Sequence, residues 1–252
     1  MRALDGYSQP MQLGPLKGLA TLGSRWIYNR NDVLLPQTAG TSSAALITSG
    51  LVKVTAVSRE GHETFLAIRG PRELLGEDAV FRGTQQGRPQ DSRRIVTALG
   101  RVQARVFHVD ELRRFLLKNQ AALNLVAQSI SDQLAEAEAR ICSAGRDNAD
   151  RRLARLLCDL ERYGAPPENG SPDATQLPVR LSHQDLANWI GACRETVDRA
   201  FHNWRERGFV TTGRMDIVIN DRQALGRIAG IQVSPRRPLI ASPALTSARA
   251  RQ

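Results

Sequence analysis

The sequence predicts an α+β chain in which a domain of short strands is followed by a long helix and then by a helix-turn-helix with a wing. Three observations predict it. Over residues 25–109, short runs of alternating apolar character are separated by turn residues. From Asp110 to Gly145 no proline or glycine interrupts a run whose apolar residues recur every three or four positions. Residues 182–204 then place a capping-box start, a turn glycine and a second apolar helix face at the spacing of two helices crossing over a tight turn.

Taken in order, residues 1–24 are broken by Gly and Pro and are expected to be loosely ordered. Strands are expected at 44–47, 51–57, 64–68, 94–98 and 103–108. Alternation is clearest from Leu51 to Val57, between Gly50 and the polar turn Ser58-Arg59-Glu60-Gly61. Short strands so spaced suggest an antiparallel sandwich or barrel. Asp110 is the expected N-cap of a helix spanning 110–145. Leu123, Val126, Ile130, Leu134, Ala137 and Ile141 form a narrow stripe on it, as in a helix packed along a seam with a like partner. Packing on the chain's own strands is the alternative, but the charged flanks (Asp132, Glu136, Glu138, Arg140) call for a second covering surface, hence a homodimer. Residues 146–230 form the third domain, opening on an amphipathic helix with Leu153, Leu156, Leu157 and Leu160 on one side. Residues 231–252, rich in Pro, Ala, Ser and Arg and free of acidic residues, are expected to be a disordered basic tail.

Composition sets limits on function. The 252 residues carry a net charge of +10, which favours a polyanionic partner such as nucleic acid. Three dispersed cysteines (Cys142, Cys158, Cys193) and four dispersed histidines give no metal-ligand spacing. No long apolar stretch and no secretory pattern occur, so a cytoplasmic chain without membrane contact is expected. No nucleophile–base pair, phosphate-binding glycine loop or paired carboxylates suggest an enzyme.

The chemistry concentrates in the helix-turn-helix. Ser182 and Asp185 make the capping box, Leu186, Ala187 and Ile190 face inward, and Gly191 takes the turn. Val197, Ala200, Phe201 and Trp204 form the inner face of the second helix. Its outer residues suit the major groove: Arg194 and Arg199 can each grip guanine O6 and N7, and Glu195 can accept from cytosine N4. Residues 208–219 read as a two-strand wing turning at Gly213-Arg214.

Arg194-Glu195-Thr196-Val197 with Arg199 resembles the recognition helix of the Crp/Fnr family. The resemblance implies that Arg194, Glu195 and Arg199 read a GTGA-like half-site of a two-fold operator. It also implies that Ser182, His183, Gln184, Cys193 and Thr196 line the DNA backbone, His183 replacing a basic residue and Cys193 a small hydroxyl residue. RNA polymerase is the further partner it implies.

More weakly, Gly50-Leu51-Val52-Lys53-Val54 and Leu75-Gly76-Glu77 resemble the family's cyclic-nucleotide-binding β-roll. The resemblance makes Gly76, Glu77, Arg93 and Arg94 candidate ligand residues. The phosphate-binding Arg-Ser pair of nucleotide-binding relatives is missing, and residues 82–94 are longer than the usual cassette. Cyclic nucleotide, another small ligand and no ligand all remain open. No cysteine precedes Cys142, so no Fnr-like iron–sulfur cluster is expected, and nothing points to haem. The expected function is a sequence-specific, homodimeric transcription regulator; the alternative is a ligand- or protein-binding β-roll module with weak, nonspecific DNA binding.

Overall fold

The computed structural model describes residues 13–35, 43–61, 63–82, 92–167, 171, 173–213 and 216–232. Helix α1 (Leu13–Leu16) and a 3-10 turn lead into β1 (Ser24–Tyr28), β2 (Val33–Leu34), β3 (Ser43–Ser49), β4 (Val52–Ser58), β5 (Glu63–Arg69), β6 (Leu74–Leu75), α2 (Asp78–Arg82), β7 (Ser92–Ala98) and β8 (Val102–His108). The strands form two antiparallel four-stranded sheets, in the orders β1-β8-β3-β6 and β2-β7-β4-β5.

Side-chain alternation along β3 shows why these sheets form a layered domain. Ala45 and Ile47 join Val52, Val54, Val96 and Val102 in a core built from both sheets. Ala44 and Leu46 point the other way and pack with Leu112, Leu116 and Val126 beneath the helices that follow. Leu16 and Leu19 are fully buried in that second core. Residues 13–24 are therefore seated on the domain, contrary to the expectation of loose order; Gly and Pro conceal the apolar pattern there. Residues 1–12 lie outside the described residues.

The expected single helix over 110–145 is two: α3 (Val109–Lys118) and α4 (Gln120–Ala144). His108, not Asp110, caps α3, its ring accepting from the Asp110 N–H at 3.2 Å while Glu111 returns to the His108 N–H. Asn119 makes the break. Its Oδ1 accepts from the Ala122 N–H at 3.1 Å, and its Nδ2 donates to the Pro15 carbonyl at 3.1 Å, fastening the N-terminal segment to the joint.

The rest comprises α5 (Ala149–Glu161), β9 (Thr175–Gln176), α6 (His183–Ile190), α7 (Arg194–Glu206), β10 (Val210–Thr212), β11 (Ile217–Ile219) and α8 (Arg222–Ala229). Strands β10 and β11 pair as the expected wing, although Arg214 of its turn lies outside the described residues, and β9 adds a third strand. The tail from 233 also lies outside them. Among the described residues no helix is long and apolar enough to cross a membrane.

The C-terminal domain is docked on the strands. Phe65 of β5 stacks on Trp189 of α6, and Leu51 and Ile68 enter the same core as Leu157, Leu160 and Phe201. Beside it, the Tyr163 hydroxyl donates to Glu73 at 2.7 Å, and Arg69 of β5 pairs with Glu136 of α4 at 3.3 Å, both nearly buried.

Candidate nucleic-acid interface

Helix α6 starts where the capping box places it. The Asp185 N–H donates to Ser182 Oγ at 3.1 Å and the Ser182 N–H to Asp185 Oδ2 at 2.9 Å. It ends at Gly191, whose φ of 62° is left-handed, and nothing lies within 4 Å of the position a Cβ would take. Backbone conformation, not crowding, therefore requires glycine there.

Arg152 of α5 fixes the turn from behind. Its Nε donates to the Ile190 carbonyl at 2.8 Å, its Nη2 to the Gly191 carbonyl at 3.4 Å, and its Nη1 to the Asp147 carbonyl at 2.6 Å. A cation on the last carbonyls of a helix satisfies orphan acceptors and opposes the helix dipole. Sequence reasoning missed this residue because its partners are backbone atoms 38 and 39 positions away in sequence.

Helix α7 buries Val197, Ala200, Phe201 and Trp204 and turns Arg194, Glu195 and Arg199 outward, all three exposed. A groove between α6, α7 and the wing is lined by Ser182, His183, Gln184, Arg194, Gly213 and Asp216. Of the five expected backbone-contact residues, three thus line this groove. Cys193 and Thr196 sit at the start of α7, their Sγ and Oγ1 3.0 Å apart, with Cys193 exposed and making no side-chain cap. His183 is held on two sides. Its ring stacks on Phe201 with centroids 4.7 Å apart, and its Nδ1 bonds Asp198 Oδ1.

The seam stripe divides. Val126 is fully buried within its own chain, and Leu123 and Ile130 are half-buried against the same core. Val126 is therefore a core residue and leaves the seam. Leu134, Ala137 and Ile141 are exposed, and Leu134 and Ile141 are among the most exposed large apolar residues described, at 60% and 75%. Ala127, Leu134 and Ile141, all exposed, recur at seven-residue spacing on this face.

The candidate ligand residues are described only in part. Glu77 is buried, and Gln133 of α4 donates to its Oε1 at 2.6 Å. Gly76 has a φ of 76°, and a Cβ would stand 2.7 Å from the Ser43 carbonyl oxygen, so the fold itself requires glycine there. Arg94 is exposed on β7, and the Arg93 side chain and residues 83–91 lie outside the described residues. The Glu77 carboxylate is thus tied to α4 through one of its two oxygens.

Two layered sheets, a pair of following helices and a winged helix-turn-helix define a DNA-binding regulator with a sensor-type domain. Residues 25–119 match the model of the cyclic nucleotide-binding domain, and residues 151–228 that of the Crp-like helix-turn-helix domain. The chain is 24% identical over 184 residues to the CRP-like cAMP-activated global transcriptional regulator of Mycobacterium tuberculosis, covering 73% of this chain and 78% of that protein. It is 28% identical over 185 residues to the global nitrogen regulator of Synechococcus elongatus, covering 72% and 79%. A CRP/FNR-family transcriptional regulator from Thermus thermophilus superposes with a TM-score of 0.61 at 25% identity, over 82% of this chain and 98% of that one. FixK2 from Bradyrhizobium japonicum, 17% identical, shares the fold with a TM-score of 0.66 over 85% of this chain and 100% of that one. The chain belongs to the Crp/Fnr family of transcription regulators.

Proposed function

We propose that the protein binds a two-fold DNA operator as a homodimer, with one α7 in the major groove of each GTGA-like half-site. Arg194 and Arg199 grip guanines, and Glu195 accepts from cytosine. The observation that carries this reading is that these three side chains share the exposed face of α7 while its opposite face is buried. Ser182, Gln184, Cys193 and Thr196 lie where the DNA backbone would pass, with His183 behind them. Leu134, Ala137 and Ile141 form the seam between protomers, and RNA polymerase is the partner on which such a regulator acts.

The test is titration of labelled duplex carrying two GTGA half-sites, and of a scrambled duplex, at one fixed salt concentration. Wild-type protein prefers the operator. Arg199→Ala weakens operator binding by about 5- to 100-fold, the equivalent of one bidentate base contact, and changes scrambled-duplex binding little. Equal losses on both duplexes, or no preference in wild type, would favour the nonspecific alternative.

A further inference from the structure

A carboxylate on a helix that faces DNA is repelled by phosphate, yet the first two turns of α7 present two, Glu195 and Asp198. Glu195 has a base to read; Asp198, half-exposed one turn beyond Arg194, is engaged on both oxygens. Its Oδ1 bonds His183 Nδ1, and its Oδ2 lies 3.6 Å from Arg194 Nε. His183 is itself held against the buried ring of Phe201, with planes 16° apart. A chain of contacts thus runs from the core of the helix-turn-helix through His183 and Asp198 to Arg194, whose side chain is 62% exposed.

We propose that Asp198 is a specificity-determining residue that buttresses Arg194 from its Nε side and leaves the two terminal nitrogens to face a guanine. This rests on Arg194 reading a base. A guanidinium can offer an acceptor pair either its two terminal nitrogens or one of them with Nε. An ion-pair partner on the Nε side disfavours the second mode, and restraining a long side chain reduces the entropy lost on contact. Asp198 gains position in the same way, because the bond to His183 restricts its carboxylate. The negative charge then discriminates: it is tolerated when Arg194 is engaged by guanine, and it opposes phosphate when the helix rests on DNA without that contact.

The experiment is selection from a randomised two-fold duplex library, with base preference scored position by position for the wild type, Arg194→Ala, Asp198→Asn, Asp198→Ala and the Arg194→Ala/Asp198→Asn double variant. Thermal unfolding is recorded for each. The column that loses its guanine preference in Arg194→Ala identifies the base concerned. The expected result is that both Asp198 variants lose about three- to tenfold of preference in that column alone, while nonspecific affinity holds or rises. The double variant should be no worse there than Arg194→Ala. An unchanged column in both folded Asp198 variants, or equal loss on every sequence, would overturn the buttress while leaving Arg194 as a reader. If Arg194→Ala itself alters no column, base reading by Arg194 falls and the buttress falls with it.

Discussion

Trp189 of α6 lies flat against Phe65 of β5, with ring centroids 4.9 Å apart and planes 4° from parallel. The contact joins the DNA-binding helices to the strand domain, since Trp189 precedes the Ile190-Gly191 turn and Phe65 lies in the β4–β5 hairpin. Removing one ring from a half-buried stacked pair costs about 2 kcal/mol. Phe65→Ala is therefore expected to lower stability by that amount and to separate the unfolding of the two domains. Tryptophan fluorescence and far-ultraviolet circular dichroism, which are expected to coincide in wild type, should give distinct midpoints in the variant.

Tyr163 and Glu73 make the second fastening, and it is sensitive to pH. Burial, reinforced by the Glu73 carboxylate, holds the Tyr163 phenol well above its ordinary value. An unfolded tyrosine ionises near pH 10, about the usual value. The contribution is thus complete below that pH and lost as pH rises through the alkaline range toward the folded value. Tyr163→Phe should cost about 1–2 kcal/mol at pH 7. It should also flatten the alkaline fall in stability measured by urea titration; an unaltered slope would remove the tyrosine from the account.

Residues Val126 and Leu134 test the proposed division of α4 between its own core and the dimer seam. Val126 is fully buried in its own protomer and Leu134 is 60% exposed. Leu134→Glu is expected to leave the monomer folded and abolish the dimer in light scattering at micromolar concentration. Val126→Ala is expected to lower stability by about 2 kcal/mol without changing the oligomeric state. The seven-residue recurrence that distinguishes them was present in the sequence, but 126 and 127 are adjacent and both small enough for either face. Only the packing of the strand domain decides which one turns inward.

The helix-turn-helix was legible nearly residue by residue because its signals are local. Ser182 with Asp185, the left-handed Gly191 and the inward Leu186, Ile190, Val197 and Phe201 each act within one or two turns. The longer strands were legible through alternation, as along Leu51–Val57. Short β2 and β6 carry too few residues to alternate. Asn119 left no trace: Leu112, Leu116 and Leu123 are spaced four and seven apart, in step with an unbroken helix, and only the structure shows the break. The ties Asp198–His183, Arg152–Ile190 and Phe65–Trp189 join residues 15, 38 and 124 positions apart, and no periodicity encodes them.

The bond between Gln133 and Glu77 makes a prediction about effectors. With one oxygen of Glu77 held by α4 at 2.6 Å, cyclic AMP and cyclic GMP should produce no binding heat in calorimetry and no change in operator affinity. Saturable binding of either would contradict this expectation. Gln133→Ala, which removes a donor from a buried carboxylate, should destabilise the chain by about 1–3 kcal/mol.

The central claim is that two copies of α7 read DNA together from one rigid dimer. The most direct measurement compares affinity for an operator whose half-site centres lie one helical turn apart, about 34–36 Å, with the same half-sites separated by about five further base pairs, half a turn. The account predicts that the half-turn insertion weakens binding at least tenfold, because one recognition helix then faces the wrong side of the duplex. Equal affinity for the two duplexes would contradict it.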